Sequence, residues 1–186
     1  MNETALVDLV RPIREAIYEV DSHWHMIGRQ FEQLAEGYGP VDMNPDYQRG
    51  HIWTQTQQER YIEATMRGTL PSSGRLLQFN CPNWNFETHD PALPPGLQCL
   101  DGLQRYTATQ RFLAGEIRAF GLPVDDFQGT AFDPKRYRFR IAVFNYRTKA
   151  EVLQHYLAHN SGGTPHSEDE LRRVRELLMA CYPVAE

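Results

Sequence analysis

The run from Gln98 to Phe112 constrains the fold of this chain more than any other stretch. Leu97 to Leu100 is apolar, Asp101-Gly102 is a turn pair, and Leu103 to Ala114 reads as a helix closed by Gly115. A buried strand, a tight turn and a helix therefore follow one another within about five turns' length of chain. Gly102 supplies a backbone geometry closed to other residues and lets another group approach closely. A turn of this kind aims backbone N–H groups and the positive end of the helix at one point, which suits a phosphate. Gln104 and Arg105 stand beside it in the first helical turn. Arg105 has the planar fork for bidentate contact with an anion. Asp101 is the side chain to hold Mg²⁺ or polarise a nucleophile. The plain alternative is structural: Asp-Gly is a common turn and an arginine in a first turn is often solvated.

The chain has 186 residues, one domain of ordinary size with enough length for a real core. Hydrophobic residues make up 41% and charged residues 23%, a globular balance, and the formal net charge is −5. The surface as a whole does not attract DNA, so nucleic-acid contact needs a local basic patch. The candidate patches are Arg105 with Arg111, Lys135 to Arg140, and Arg172 to Arg175, with solvated faces as the competing reading. Cys81, Cys99 and Cys181 are odd in number and widely spaced, so neither a disulfide framework nor a zinc motif follows. Cys99 is expected in the core. The N-terminus is acidic and lacks a long apolar region, so no signal peptide is expected, and no run approaches the ~20 apolar residues that cross a bilayer. The expectation is a soluble, cytoplasmic protein.

Leu6, Leu9, Val10, Ile13 and Ile17 are spaced for one helix face, predicting an amphipathic helix over 3–20 with Pro12 as a break. Further helices are predicted at 27–36, 55–67, 103–114, 148–159 and 167–181, the last opened by Ser167 and Glu170 as a capping box. Short strands are predicted at 41–43, 76–79, 97–100 and 137–144. Residues 80–96 and 121–134 read as long loops. The total is an α+β fold, a small mixed sheet surrounded by helices. A helical extension over 1–27 is expected to precede the main domain over 28–186.

Two more constellations carry chemistry. In Asn44 to Trp53, Gln48 and Arg49 can clamp a second phosphate, and Tyr47 and Trp53 can stack on a base; the alternative is that both aromatics pack the helix entry. In Asn160-Ser161-Gly162-Gly163-Thr164-Pro165, two glycines expose amides as an anion nest, or simply stop a helix. His23 and His25 lack partners at metal-ligand spacing. His155 and His159 stand four apart on a helix without the glutamate of a zinc motif, so they are expected at the surface.

The order and spacing of these segments resemble one family. It is the ParB/sulfiredoxin-like domain with a DGQQR signature found at the N-terminus of GmrSD-type modification-dependent restriction enzymes. Pro45 to Trp53 is similar to its P-x-Y-Q-R-x-x-x-W entry. Gln58 to Glu63, followed by Gly68 and Pro71, is similar to its LIES helix and exit. Leu100 to Thr107 is similar to VDGQQRLT, and Asn160 to Pro165 with Glu170-Leu171 to N-x-GGTPL…EL. The match runs from about residue 28 onward. The resemblance implies a ParB/sulfiredoxin-like fold and one site where the motifs converge on a nucleoside triphosphate, with Mg²⁺. It implies that Asp101, Gly102, Leu103, Gln104, Arg105 and Thr107 face phosphate, with Asp101, Gln104, Arg105 and Glu63 in catalytic roles. Gln48 and Arg49 form the second clamp, and Asn160, Gly162, Gly163 and Thr164 close the site.

Two departures matter. Leu103 stands where the signature has another glutamine beside that of Gln104, which weakens the case for hydrolysis more than for binding. The family often carries a C-terminal His-Asn-His nuclease region, and none is expected in this sequence, so unaided DNA cleavage is not expected either. The leading expectation is nucleotide-dependent phosphoryl transfer or NTP hydrolysis in DNA modification or restriction, including a kinase acting on a hydroxyl of DNA. DNA and separate nuclease or modification proteins are the expected partners, and a virus of bacteria the expected source. The alternatives are a ParB-like DNA nuclease and a non-catalytic module that binds nucleotide or DNA.

Overall fold

Five short segments whose apolar residues either run together or alternate pair into one mixed sheet. They are β1 (Tyr18–His23), β2 (Val41–Asp42), β3 (Leu76–Asn80), β4 (Leu97–Asp101) and β5 (Arg138–Phe144), in spatial order β1-β5-β3-β4-β2. The computed structural model describes residues 13–48, 50–85, 90–160 and 168–182, with Leu6, Leu9 and Val10 before them. β1 is antiparallel to β5, β5 parallel to β3, β3 antiparallel to β4, and β4 parallel to β2. The fold is α+β, as the sequence implies.

The helices are α1 (Ile27–Tyr38), α2 (Gln55–Arg67), α3 (Leu103–Leu113), α4 (Lys149–Asn160) and α5 (Glu168–Ala180). The sheet's side chains alternate between two cores. Leu77, Phe79, Leu97, Cys99 and Ile141 face Ile27 and Phe31 of α1, Ile62 of α2 and Phe112 of α3. Leu100, Ala142 and Phe144 face Val152, Leu153 and Tyr156 of α4 and Val174 of α5. Cys99 is fully buried, as expected. Thr54 opens α2 with a capping box completed by Gln57, and Gly68 ends it in the left-handed conformation.

The N-terminal segment departs from expectation. Leu6, Leu9 and Val10 are helical, but 13–16 are not, and Tyr18–His23 is a strand rather than the end of a helix. Tyr18-Glu19-Val20-Asp21 alternates with period 2, and six residues of β1 pair with β5. The tertiary partner overrides the apolar spacing that continues from Leu6 to Ile17. Trp24 is also buried in the main core, so residues 18–27 belong to the domain and not to an extension. The Ser167 half of the proposed capping box, and Ser161 to Pro165, lie outside the described residues.

The loop 80–96 is held by side chains where it is described. Asn83 donates to Tyr38 O at 2.8 Å and accepts from Gly96 N at 3.0 Å. Gly96 has φ +96°, and a Cβ there would overlap Pro40 O and lie 2.9 Å from Gly39 C and Pro40 N. That close approach lets Leu97 N donate to Pro40 O and start the β2–β4 pairing. Gly96→Ala is expected to destabilise by about 3 kcal/mol or more, since backbone strain and backbone overlap add. Urea unfolding reads this directly; a loss under about 1 kcal/mol would contradict it.

Candidate functional site

The site begins with an irregularity in the sheet. Gln78 opposes Asp101 while Phe79 opposes Cys99, so Leu100 is an extra residue at the end of β4. A bulge of this kind re-aims the side chain beyond it. Gly102 follows with φ +116° and ψ −2°, and α3 starts at Leu103 with no side chain capping it. A Cβ on Gly102 would lie 2.5 Å from Leu77 Cδ2 and 3.2 Å from Leu77 Cα. Glycine is therefore demanded twice, by the left-handed backbone and by the packing of the turn onto β3.

Arg105 folds back over this turn. Its Nη2 donates to Asp101 Oδ2 at 2.5 Å and to Leu76 O at 2.9 Å, and its Nε donates to Leu76 O at 3.2 Å. The Arg105 side chain is 17% exposed and that of Asp101 37%, so the pair sits at the surface with its carboxylate outward. Behind it lies a buried polar chain. His155 Nε2 is 3.3 Å from Gln78 Oε1, and His155 Nδ1 is 2.9 Å from Tyr146 Oη. Tyr146 is fixed in turn by Asn80, which accepts from its N–H at 2.8 Å and donates to its carbonyl at 3.2 Å. The neutral tautomer that satisfies both contacts carries its proton on Nε2 and accepts from the tyrosine hydroxyl on Nδ1.

Two of the three sequence constellations meet here, through hydrogen bonds to one another. Gln48 Nε2 donates to Cys99 O at 2.9 Å and to Leu100 O at 3.0 Å, filling the carbonyls that the bulge leaves free. Gln104 Oε1 accepts from Ile52 N and Trp53 N, and its Nε2 donates to Gly50 O at 2.7 Å. The two glutamines are thus fasteners between the 47–53 segment and the 99–105 segment. Arg49 lies between Gln48 and Gly50 but outside the described residues. α4 runs back along the sheet from Lys149 and brings His155 beneath Gln78, so its C-terminal end at Asn160 leads toward the Asp101 end of β4. Gly162, Gly163 and Thr164 lie outside the described residues.

The other expected residues take different places. Leu103 is 9% exposed and its side chain packs into the core. Thr107 is half-buried one turn further along α3. Glu63 does not join the site: its Oε1 accepts from Phe120 N at 2.8 Å, latching the 118–120 turn together with Glu59. Tyr47 is 4% exposed, with its ring 5.6 Å from that of Tyr156, so no face is left for a base. Trp53 is half-buried, 5.5 Å from Tyr61, and retains some exposed surface.

His155 corrects the surface reading. It is 2% exposed, because α4 turns that side toward the sheet, while His159 remains at the surface. Nothing in local sequence marks this; the signal is a lone histidine among Val152, Leu153 and Tyr156, which all face the core. The basic runs are largely paired. Arg138 and Arg140 face Asp21 and Glu19, Arg111 binds Glu116, and Arg172 binds Asp169. Among the described residues, no group of three or more His, Cys, Asp or Glu side chains can hold a metal ion. Asp101 fits Mg²⁺ only as the single carboxylate partner of an ion held mainly by phosphates and water. Among the described residues, no helix is long and apolar enough to cross a membrane. No family model, curated protein or solved structure matches the chain.

Burial, and then repulsion from His159, pushes the His155 pKa down from 6.5 to about 4, with Asp101 opposing. The folded protein keeps this imidazole neutral where the unfolded chain protonates it. Stability is therefore expected to fall as pH drops from 6.5 toward 4, because the unfolded state binds the extra proton there. His155→Gln is expected to flatten that part of the profile. Equal pH slopes for variant and parent in urea unfolding would contradict the assignment.

Proposed function

We propose that the chain is a nucleotide-binding domain that performs phosphoryl transfer or NTP hydrolysis in DNA modification or restriction. The observation that carries this reading is the mutual fastening of the 47–53 and 99–105 segments around the Asp101–Arg105 pair. The sequence resemblance to the ParB/sulfiredoxin-like DGQQR domains supports it independently of the geometry.

In this reading the triphosphate exchanges with the Asp101 carboxylate for the Arg105 guanidinium. The arginine is held by Leu76 O, so it is already oriented and loses little freedom on binding. The uncapped start of α3 adds its positive end to the same place. Asp101, released from Arg105, is then the carboxylate for Mg²⁺ or for a hydroxyl nucleophile. Mg²⁺, when bound, neutralises charge on the transferring phosphoryl group. The family resemblance assigns the closing side to Arg49, Asn160, Gly162, Gly163 and Thr164. Gln104, Gln48 and Leu103 have structural duties, so neither hydrolytic water nor phosphate is assigned to them, and Glu63 and Tyr47 leave the site.

The same commitments favour a second reading, a module that binds nucleotide without turning it over. Gln104 has both amide atoms tied to backbone, and the residue in place of the signature's other glutamine is a core leucine. Titration calorimetry with ATP, GTP and CTP plus Mg²⁺ tests binding. Label transfer from the γ-phosphate to water or to hydroxymethylated DNA tests turnover. Arg105→Ala is expected to weaken triphosphate binding by about 10–100-fold, the value of a charged hydrogen-bonded contact. Arg105→Lys is expected to restore only part of it. Binding without label release selects the second reading, and absence of triphosphate binding ends both.

A further inference from the structure

A second polar site lies beside β2 and the start of β4. A cavity of about 220 Å³ is bounded by Asp42, Asp46, Tyr47, Pro94, Gln98 and Lys149, among others. Two of its lining residues carry polar atoms shielded from solvent and without a hydrogen-bond partner: Tyr47 Oη and Gln98 Oε1. Tyr47 is 4% exposed and Gln98 1%. Leaving two such atoms unsatisfied is disfavoured, because each has given up its water without a replacement. The Gln98 orientation is not free, because its Nε2 already donates to Pro94 O and Gly96 O. Turning the amide over would set oxygen against carbonyl oxygen. Gln98 Oε1 is thus fixed as an acceptor that calls for an N–H or O–H from elsewhere. Burial raises the Tyr47 pKa well above its ordinary value, keeping the hydroxyl protonated and able to donate.

We propose that this cavity binds a small uncharged heterocycle of nucleobase size, which donates an N–H to Gln98 Oε1 and accepts the Tyr47 hydroxyl. Charge excludes a phosphate among the described lining residues. The Lys149 ammonium is held by Asp46 at 2.5 Å, and Asp42 adds a second carboxylate. The same ammonium opposes a metal ion. Size excludes larger ligands, since the cavity falls below the ~300 Å³ at which sites for drug-sized molecules begin. Pro45, Leu93 and Pro94 give it the apolar walls that a flat ring needs, and Tyr47 offers its hydroxyl rather than a ring face. The site is separate from the Asp101–Arg105 pair and does not depend on triphosphate chemistry there.

The test uses cytidine, adenosine, uridine and guanosine as probes, with ribose as control, and the side-chain amide signal of Gln98 as the readout by NMR. At least one nucleoside at millimolar concentration is expected to shift that signal, and ribose is not. Tyr47→Phe deletes a hydroxyl without a partner in the protein, so its melting temperature is expected to stay equal or rise. The same variant is expected to weaken nucleoside binding about tenfold. A crystal soaked with the best nucleoside is expected to show the base between Tyr47 and Gln98. An ordered water bridging the two groups, with no nucleoside response, overturns the proposal. So does a response in which ribose equals the nucleosides, or one that Tyr47→Phe leaves unchanged.

Discussion

The contact between Gly102 and Leu77 sets the geometry on which the rest of the molecule is built. With no side chain on Gly102, β4 can end against the start of β3 and turn into α3 within one residue. With it comes a bulge at Leu100, whose neighbouring carbonyls need partners. Gln48 meets those carbonyls from a segment some fifty positions earlier, and Gln104 holds the same segment from the other side. A local steric requirement thus becomes a tertiary one. The turn and the described residues of the 47–53 segment support one another.

The polar residues at this junction divide their work in a way that types alone do not reveal. Amides serve the backbone, where a neutral donor and acceptor on one flat group satisfy two orphan partners at once. The charged pair is left at the surface, where its attraction is screened and an anion can compete for the arginine. His155 and Tyr146 fill the space behind it. They satisfy Gln78 without placing a charge in the core, which burial disfavours. Such a layout keeps the rigid parts rigid and leaves Asp101 and Arg105 as the exchangeable members.

Several elements were legible from residues alone. Thr54, Gln57 and Gly68 bracket α2 with unambiguous capping chemistry, and the Asp101-Gly102 turn stands between a continuous apolar run and a helix. The convergence of the 47–53 and 99–105 segments was anticipated, although the reason is hydrogen bonding between them. What sequence could not carry was long-range pairing. Tyr18 to His23 reads as strand only once Arg138 to Phe144 is opposite it. His155 and Tyr47 look like surface and ligand residues until their buried neighbours are known. Glu63 belongs to the correct helix but to its other side, where it holds Phe120.

The central claim is that one pre-oriented ion pair at the end of β4 is what an anionic ligand opens. A crystal structure with a non-hydrolysable nucleoside triphosphate addresses it most directly. The expected result has phosphate oxygens within hydrogen-bonding distance of the Arg105 guanidinium near the start of α3, the Asp101 carboxylate displaced, and Gln48 and Gln104 unmoved. A triphosphate bound elsewhere, with the Asp101–Arg105 pair intact, would contradict it.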